Sequence, residues 1–322
     1  EAHKPGQLTL VVLNRVEYAA EVAEQIRKDK ECHAEIELIH SRFRPFEREK
    51  WMTTFLNKNA PLPPEGRIVV ATQVVEAGVD ISADLLITDL APWPSLVQRF
   101  GRCARYAGQS GRIIVVDREI AEDDDKSAMP YEPKALAAAC ECVQALIEKG
   151  DAGLGTLEDF EENLSPEQRK TLYPYDPQHL LLRRELDELF DTTPDLTGAD
   201  IDISRFIRSG AERDIFVFWR TIQDKADPDD SIEASRNELC PVSFFTARKW
   251  LFEDDAKEKG KWVWDYLEGS WRRCRKEDVF PGQTILVELS AGGYGIEKGW
   301  TGNRNDQVPA IEDASAPNAS EC

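Results

Sequence analysis

The sequence predicts an α/β protein in which a parallel sheet flanked by helices is followed by a smaller domain of mixed α and β structure. Two observations predict the sheet. Five short runs rich in β-branched residues lie within residues 1–117, and longer amphipathic stretches separate the first three. The runs are apolar at nearly every position, as strands covered on both faces are. They begin at residues 8, 34, 67, 84 and 111 and read LTLVVLN, AEIELIH, RIVVAT, DLLITDL and GRIIVVD.

Helical patterns fill the gaps between these runs. EYAAEVAEQIRKD follows the first run with apolar residues at fourfold spacing, and FEREKWMTTFLN follows the second. Before the fifth run, Ser95 is a favourable N-cap residue, which predicts a helix over residues 96–105. On such a helix Gln98, Arg102 and Arg105 share one polar face.

That polar face suits a polyphosphate, because a forked guanidinium can bind oxygens bidentately and stays charged at physiological pH. Gly101 lets a ligand approach closely. Two other interpretations remain open. Ser95 and Gln98 match a capping box, so Gln98 could serve only its own helix. Arginines near a helix C-terminus also interact with the macrodipole while remaining solvated.

Polar residues follow the first three runs, where ligands gather in a parallel sheet. Asn14 closes the first run, Ser41 and Arg42 follow the second, and Thr72 closes the third with Gln73 directly after it. The hydroxyl of Thr72 and neighbouring backbone N–H groups can bind a phosphate.

Thr72 belongs to the stretch ATQVVEAGVDIS, which leads into the fourth run. Within it Gly78 permits a turn, and Asp80 can accept hydrogen bonds from sugar hydroxyls or orient an arginine. An ordinary turn before a strand is the alternative interpretation.

Charge and composition limit the classes of function. The 322 residues carry a formal net charge of -20, and residues 1–117 hold only 15 of the 40 basic and 16 of the 60 acidic residues. A strongly acidic surface repels nucleic acid, so any nucleic-acid site must be local. Seven scattered cysteines without C-x-x-C spacing argue against a zinc site. The sequence has neither a signal-peptide pattern nor an apolar run of roughly 18 residues, which predicts a cytoplasmic protein that does not span a membrane.

The rest of the chain predicts three further segments after a first domain at 1–120. Residues 121–155 contain an acidic break and then a linker helix, KALAAACECVQALIEKG. Residues 156–302 are predicted to form an accessory domain with one helix, QHLLLRRELDELF, and the strands DIFVFWRT, KWVWDYLE and GQTILVEL. Its tryptophans suit core packing, with base stacking as the alternative. The polar residues 303–322 are predicted to be a disordered tail.

Together, ATQVVEAGVDIS and QRFGRCAR resemble motifs V and VI of superfamily 2 helicases, and residues 8–117 are similar to their second RecA-like lobe. VVLNRVEYA would then be motif IV, and ELIHSRF the following motif that contacts nucleic acid. The sequences ATQVVEAGVDIS and HSRF resemble the helicase of type I CRISPR systems more closely than they resemble the DEAD-box or DEAH-box branches. That family's enzyme is a helicase and nuclease recruited to the target R-loop.

The resemblance implies roles for the residues above. Arg102 and Arg105 would be catalytic fingers on the γ-phosphate of ATP, where they stabilise charge that develops during phosphoryl transfer. Arg99 sits off the polar face and is not assigned to this site. The residues expected to contact the nucleotide are Gln98, Gly78, Asp80 and Gly101. The residues expected to hold single-stranded DNA are Thr72, Gln73, Ser41, Arg42 and Asn14.

The sequence contains no G-x-x-x-x-G-K-[ST], no D-E-x-[HD] and no adjacent His-Asp pair. A superfamily 2 enzyme hydrolyses ATP between two lobes, so the chain is expected to be an incomplete enzyme. It would be either a C-terminal fragment or a subunit that completes a partner's site, with Mg²⁺ held by the first lobe. The expected partners are single-stranded DNA, that first lobe, the CRISPR surveillance complex and a nuclease domain elsewhere.

Three hypotheses for the function remain open. The first is the C-terminal half of an ATP-dependent helicase that translocates on single-stranded DNA in CRISPR interference. The second is a superfamily 2 repair or RNA helicase with an unrelated C-terminal domain. The third is a RecA-like module that binds nucleic acid without catalysis.

Overall fold

The computed structural model describes residues 2–121, 123–174, 182–190, 214–222, 228–253 and 260–309. By compactness the chain divides into two units. The first contains residues 1–41 and 48–175, and the second contains residues 42–47 and 176–322. Each unit is built around its own sheet.

A five-stranded, wholly parallel sheet forms the centre of the first unit, as the apolar runs predict. The register pairs Val12 with Ala71 and Thr88, and Ile39 with Ala71, so the carboxyl ends of these strands lie level. Along the sheet the order is β2-β3-β1-β4-β5. The strands are β1 (Leu8–Val12), β2 (Glu35–Ile39), β3 (Arg67–Ala71), β4 (Leu85–Asp89) and β5 (Arg112–Val116).

Helices follow the strands, and both of those predicted between the first three strands are confirmed. The sheet core contains Leu10, Val69 and Leu86, none of which is exposed. A 3-10 turn, Gln73–Val75, follows β3. The helices up to the end of the first unit are α1 (Val16–Lys28), α2 (Pro45–Thr54), α3 (Trp93–Phe100), α4 (Asp125–Ala128), α5 (Pro133–Lys149), α6 (Leu154–Glu162) and α7 (Pro166–Leu172).

The predicted linker helix is α5, and its predicted end is confirmed: Gly150 adopts a left-handed φ of 70° and its N–H bonds the carbonyls of Leu146 and Ile147. The buried face of α5, with Leu136 and Val143, belongs to the same core as the sheet. The first compact unit therefore continues to residue 175, beyond the predicted division into 1–120 and 121–155. Apolar residues on one stripe of α5 explain the difference, since they are buried in this core where α5 packs against α3 and α7.

A mixed sheet of order β7-β6-β10-β8-β9 forms the second unit, in which β10 is parallel to β6 and the other neighbours are antiparallel. The three predicted strands in this region are confirmed as β6, β8 and β10. Five of its six tryptophans are buried, which favours core packing over base stacking, and Trp264 is half-buried. The elements are α8 (Arg183–Leu189), β6 (Asp214–Arg220), β7 (Cys240–Ser243), α9 (Phe244–Phe252), β8 (Lys261–Asp265), β9 (Ser270–Arg273), β10 (Thr284–Glu288), β11 (Tyr294–Gly295) and β12 (Gly299–Trp300).

Two predictions fall partly outside the described residues. The predicted helix QHLLLRRELDELF begins at 178, and its described part is α8. Residues 310–322 of the predicted tail are not described, whereas Arg304, nearer its start, lies over the ring of Trp250 at 4.8 Å.

Candidate functional site: the arginine stretch and the strand ends

The helix that carries the arginine stretch begins and ends earlier than predicted. Pro92 is the N-cap of α3, Pro94 lies in the first turn, and the helix ends at Phe100 with Gly101 as C-cap. The predicted start at residue 96 with Ser95 as N-cap is wrong, and no side chain caps this helix. Proline is favoured in the first helical turn, where its missing N–H costs nothing.

The predicted polar face is therefore also wrong, because Arg102 and Arg105 follow the helix instead of lying on it. Between them Ala104 has a left-handed φ of 45°, which turns the backbone. Gln98 remains on the helix and is exposed, as is Gly101. The three side chains do not share a helical face as proposed from the spacing.

Arg102 is buried, with 6% of its surface exposed. Its Nε donates to the carbonyl of Val75 at 2.9 Å, and its Nη2 donates to the carbonyl of Glu76. Burial lowers the pKa of Arg102, and the nearby charge of Arg105 adds to that effect. The guanidinium thus holds the turn that follows β3.

Arg105 is exposed, and its Nε lies 3.2 Å from Oδ1 of Asp80, with 41% and 48% of the two side chains accessible. Nη1 of Arg105 donates to the carbonyl of Gly101 at 3.2 Å. The hydroxyl of Tyr106 also donates to Oδ1 of Asp80, at 2.7 Å. Burial, and then the hydrogen bond to Asp80, raise the pKa of Tyr106. Gly78, two residues before Asp80, has a left-handed φ of 75° and open space around its Cα.

This cluster lies at the amino end of the sheet, not at the carboxyl ends where the sequence pattern placed the predicted DNA contacts. The backbone N–H of Arg105 donates to the hydroxyl of Ser82 at 2.9 Å, and Ala83 forms a parallel bridge with Cys103. Both contacts immediately precede β4. Strands of five residues are about 16 Å long, so roughly that distance separates this cluster from the strand ends.

At the carboxyl edge, Asn14 and Gln73 are engaged in internal hydrogen bonds. Nδ2 of Asn14 donates to the carbonyl of Leu90 at 2.8 Å. Nε2 of Gln73 donates to the carbonyl of Asn14 at 2.9 Å and to the hydroxyl of Tyr131 at 3.2 Å. Thr72, next to Gln73, is buried. The predicted DNA contacts of Asn14 and Gln73 would therefore require these bonds to be exchanged.

The strand order places Ser41, after β2, and Thr72, after β3, at adjacent positions along the carboxyl edge. Ser41 is exposed, but Arg42 already belongs to the second unit. There the carbonyl of Arg42 accepts a hydrogen bond from the backbone N–H of Trp300 at 2.8 Å. Ser41 and Arg42, which the sequence treats as one pair, thus lie in different compact units.

A cavity of about 330 Å³ opens beside Asn14, between the ends of β4 and β5 and helix α5. Its lining includes four carboxylates and one guanidinium, that of Arg118, which donates to Asp89 at 3.0 Å. This balance disfavours a phosphate in the cavity. The carboxylates belong to Asp89, Asp117, Glu119 and Glu141.

Sequence reasoning missed the most connected residue of the region, Arg99. None of its surface is exposed. Its Nε donates to Oε1 of Glu76 at 2.9 Å, and its Nη2 donates to Oδ1 of Asn14 at 3.0 Å. Helical spacing did place Arg99 off the polar face of the predicted helix, and a cation that is buried requires internal acceptors. That was the available signal.

Among the described residues, no group of three or more His, Cys, Asp and Glu side chains could hold a metal ion. Within the same residues, no helix is both long and apolar enough to cross a bilayer.

Comparison with known protein families agrees with these motifs. Residues 5–108 match a family model described as the C-terminal part of the CRISPR-associated nuclease/helicase Cas3. The matched segment contains β1 to β4, α3 and all three arginines of the stretch.

Individual relatives carry the same name. The chain is 30% identical over 147 residues to the CRISPR-associated nuclease/helicase Cas3 of Methanothermobacter thermautotrophicus, covering 44% of this chain and 16% of that protein. It is 36% identical over 104 residues to the protein of the same name from Streptococcus thermophilus, covering 31% and 11%. The chain thus aligns with less than a fifth of the length of these relatives.

One solved structure, described as a CRISPR-associated protein, aligns with 89% of this chain and 36% of its own. Its TM-score is 0.51 at 19% sequence identity, which indicates a similar fold.

Proposed function

We propose, from the premise that residues 5–108 are a Cas3-like C-terminal domain, that this chain supplies the second RecA-like lobe of an ATP-dependent helicase. The helicase would translocate on single-stranded DNA in CRISPR interference. The observation that best supports this function is the meeting of the motif V turn with the motif VI arginines. Arg105 pairs with Asp80, and Arg102 binds the carbonyls of Val75 and Glu76.

The cluster around Arg105 fits a nucleotide by the chemistry of its donors. A guanidinium that is 41% exposed can bind phosphate oxygens, and the half-exposed carboxylate of Asp80 can accept from ribose hydroxyls. Gly78 leaves open space beside them. ATP, when bound, supplies the phosphoryl group that is transferred to water. Gln98 and Gly101, both exposed, would lie on the same side.

Arg105 would stabilise the charge that develops on the phosphoryl oxygens, after exchanging its bond to Asp80 for one to phosphate. Arg102 has most of its surface buried, and it would keep the motif V turn in place while extending its remaining N–H donors toward the nucleotide. The P-loop and the Mg²⁺ ligands would come from a first lobe, in the same polypeptide or in a partner.

Single-stranded DNA would follow the carboxyl edge of the sheet. Ser41 and Thr72 would bind phosphates with their hydroxyl groups, and Arg42 would add a cation. Asn14 and Gln73 would join these contacts once their internal bonds are exchanged. Such a local site is compatible with a chain of net charge -20. The further partners would be the CRISPR surveillance complex and a separate nuclease domain, the second of which agrees with the word nuclease in the names of the relatives.

Turnover of ATP by the assembled enzyme tests this function. Substitution Arg105→Ala should lower DNA-stimulated ATP hydrolysis by about a thousandfold, because it removes charge stabilisation from phosphoryl transfer. Arg102→Ala should lower turnover as well, while ATP binding, measured by fluorescence titration, persists in both variants.

Arg112→Ala is the matched control, since this exposed arginine also lies at the amino end of the sheet. Turnover by Arg112→Ala should stay near that of the unsubstituted enzyme. Unchanged turnover in Arg105→Ala would refute the proposed catalytic role. DNA binding that is indifferent to nucleotide, with no ATP hydrolysis in any assembly, would instead favour a non-catalytic binding module.

A further inference from the structure

Arg99 is a fully buried cation to which the proposed function gives no task. A guanidinium has five N–H donors, and five acceptors surround this one. Nε bonds Glu76 at 2.9 Å, Nη1 bonds the hydroxyl of Thr88 at 2.9 Å and the carbonyl of Asp89 at 3.2 Å. Nη2 bonds the side chain of Asn14 at 3.0 Å and the hydroxyl of Tyr131 at 3.2 Å. The donor capacity of Arg99 is therefore fully used.

The acceptors come from four separate stretches of the first unit. Asn14 follows β1, Glu76 follows the turn after β3, Thr88 and Asp89 end β4, and Tyr131 precedes α5. Arg99 itself lies near the end of α3. One side chain thus joins motifs IV, V and VI and the start of α5.

Two of these acceptors connect the two halves of the proposed site. The side chain of Glu76 binds Arg99, and its backbone carbonyl binds Arg102, which lies on the nucleotide side. The hydroxyl of Tyr131 accepts from both Arg99 and Gln73, which lies on the DNA side. A displacement of Asn14 must therefore disturb a bond to Arg99, and a displacement of Gln73 must disturb a bond to the Tyr131 hydroxyl that Arg99 shares. A displacement of Arg99 must in turn disturb Glu76.

We propose that Arg99 is a positioning residue that couples the DNA-contacting strand ends to the nucleotide-facing arginines, with Tyr131 as its link to Gln73. This inference rests on the proposed function and assigns the coupling within it. All five donors of Arg99 are already used. A phosphate that binds the side chain of Asn14 therefore leaves an N–H of Arg99 unpaired, and one that binds Gln73 removes a donor from the hydroxyl of Tyr131. Re-pairing these buried groups requires α3 and the motif V turn to shift together, since leaving a buried polar group unpaired is unfavourable.

The experiment compares three variants in the assembled enzyme. Arg99→Lys keeps the positive charge but loses the planar guanidinium group and its five donors. Tyr131→Phe removes only the hydroxyl that Arg99 and Gln73 share. Arg67→Lys is the matched control, because Arg67 is also a buried arginine, 4% exposed, paired with Glu35 at 2.6 Å. Arg67 begins β3, at the opposite end of the sheet from Asn14 and Gln73.

The readouts are the ratio of ATP turnover with saturating oligo(dT) to turnover without it, the KM for ATP, and the thermal unfolding midpoint. Arg99→Lys should lower the ratio about tenfold and Tyr131→Phe about threefold, within the range of allosteric coupling. Arg67→Lys should lower the unfolding midpoint to a similar degree as Arg99→Lys and leave the ratio within about twofold.

A fall of basal and stimulated turnover by the same factor in Arg99→Lys would overturn the inference, since that result describes a purely structural residue. An equal loss of the ratio in Arg67→Lys would overturn it too. Both outcomes leave the proposed function intact. If the unsubstituted enzyme hydrolyses ATP without any response to DNA, the proposed function fails, and the coupling assigned to Arg99 fails with it.

Discussion

Arg99, Arg102 and Arg105 lie within one short stretch, yet their exposure rises from none for Arg99, through 6% for Arg102, to 41% for the side chain of Arg105. Their partners differ as well. Arg99 bonds mainly side chains, Arg102 bonds backbone carbonyls, and Arg105 bonds a half-exposed carboxylate and one backbone carbonyl. Exposure decides which arginine can reach a ligand. By that criterion Arg105 is the best placed of the three to bind a nucleotide, and Arg99 makes contacts only in the protein interior.

The ion pair between Arg272 and Asp278 makes the stability of the second unit depend on pH. The guanidinium of Arg272 bonds both carboxylate oxygens of Asp278 at 2.7 and 2.8 Å. These bonds, and one from the N–H of Arg275, hold the pKa of Asp278 below its ordinary value. A carboxyl group whose pKa is depressed by folding stabilises the fold above its unfolded pKa of about 3.9, and this contribution is lost as the pH falls through the folded pKa.

We therefore expect Asp278→Asn to be less stable than the unsubstituted protein at pH 7 and pH 5. The difference in the free energy of unfolding should shrink below about pH 4, where the carboxyl group of the unfolded state takes up a proton while the folded state still resists protonation, and it should vanish below the folded pKa. Urea unfolding at pH 7, 5 and 3 measures it. Glu268→Gln, at an exposed position in the loop between β8 and β9, is the control. A difference that stays constant down to pH 3 would contradict the assignment.

At the scale of elements, the ends of helices were less predictable than their interiors. Ser95 satisfied a capping pattern that predicts a start at residue 96, but α3 begins three residues earlier, at Trp93. Trp93 is buried, and its Nε1 donates to Glu161 in α6 at 3.0 Å. Those residues are 68 positions apart in the chain. A tertiary contact together with proline in the first turn thus overrode the local signal.

Helix α5 ends as the sequence predicts, which provides a matched pair of glycine substitutions. Gly150 adopts a left-handed φ of 70° with open space around it, so Gly150→Ala should lower the free energy of unfolding by about 1 kcal/mol through backbone strain alone. Gly155, inside α6, also has open space but no positive φ. Gly155→Ala should raise stability by up to about 1 kcal/mol, because alanine is the better helix former.

Chemical denaturation of the two variants measures both changes. Equal effects of the same sign at Gly150 and Gly155 would show that backbone conformation is not what distinguishes them.

On the scale of the whole molecule, a six-residue segment departs from its neighbours in the chain. Residues 42–47 belong to the second unit, although they follow β2 of the first. Within the second unit Nε of Arg44 bonds both carboxylate oxygens of Glu47 at 3.1 Å, and the hydroxyl of Tyr294 donates to Glu47 at 2.9 Å. Arg44, Glu47 and Tyr294 are all buried, so each polar group depends on the others.

Tyr294→Phe should accordingly lower the free energy of unfolding by about 1–3 kcal/mol. The substitution leaves the buried carboxylate of Glu47 with one donor fewer and the backbone N–H of Arg44 without its acceptor. Guanidinium unfolding followed by tryptophan fluorescence would report the loss, since five of the unit's tryptophans are buried. Tyr266→Phe, at a tyrosine that is 77% exposed, should be neutral. Equal stability of the two variants would contradict the role given to this buried cluster.

The sequence by itself determined the five parallel strands, most helices and the helicase-like motifs. Apolar runs predict the strands, helical periodicity predicts the helices, and the motifs are short stretches of residues, so all three are local properties of the chain. Only the tertiary structure decided which arginines are buried and to which unit residues 42–47 belong. Arg99 finds an acceptor in Asn14, 85 residues away, and Tyr294 binds Glu47 across 247 residues. A buried charge is tolerated only where such distant groups converge on it. The pattern of neighbouring residues in the sequence does not indicate which distant groups will do so.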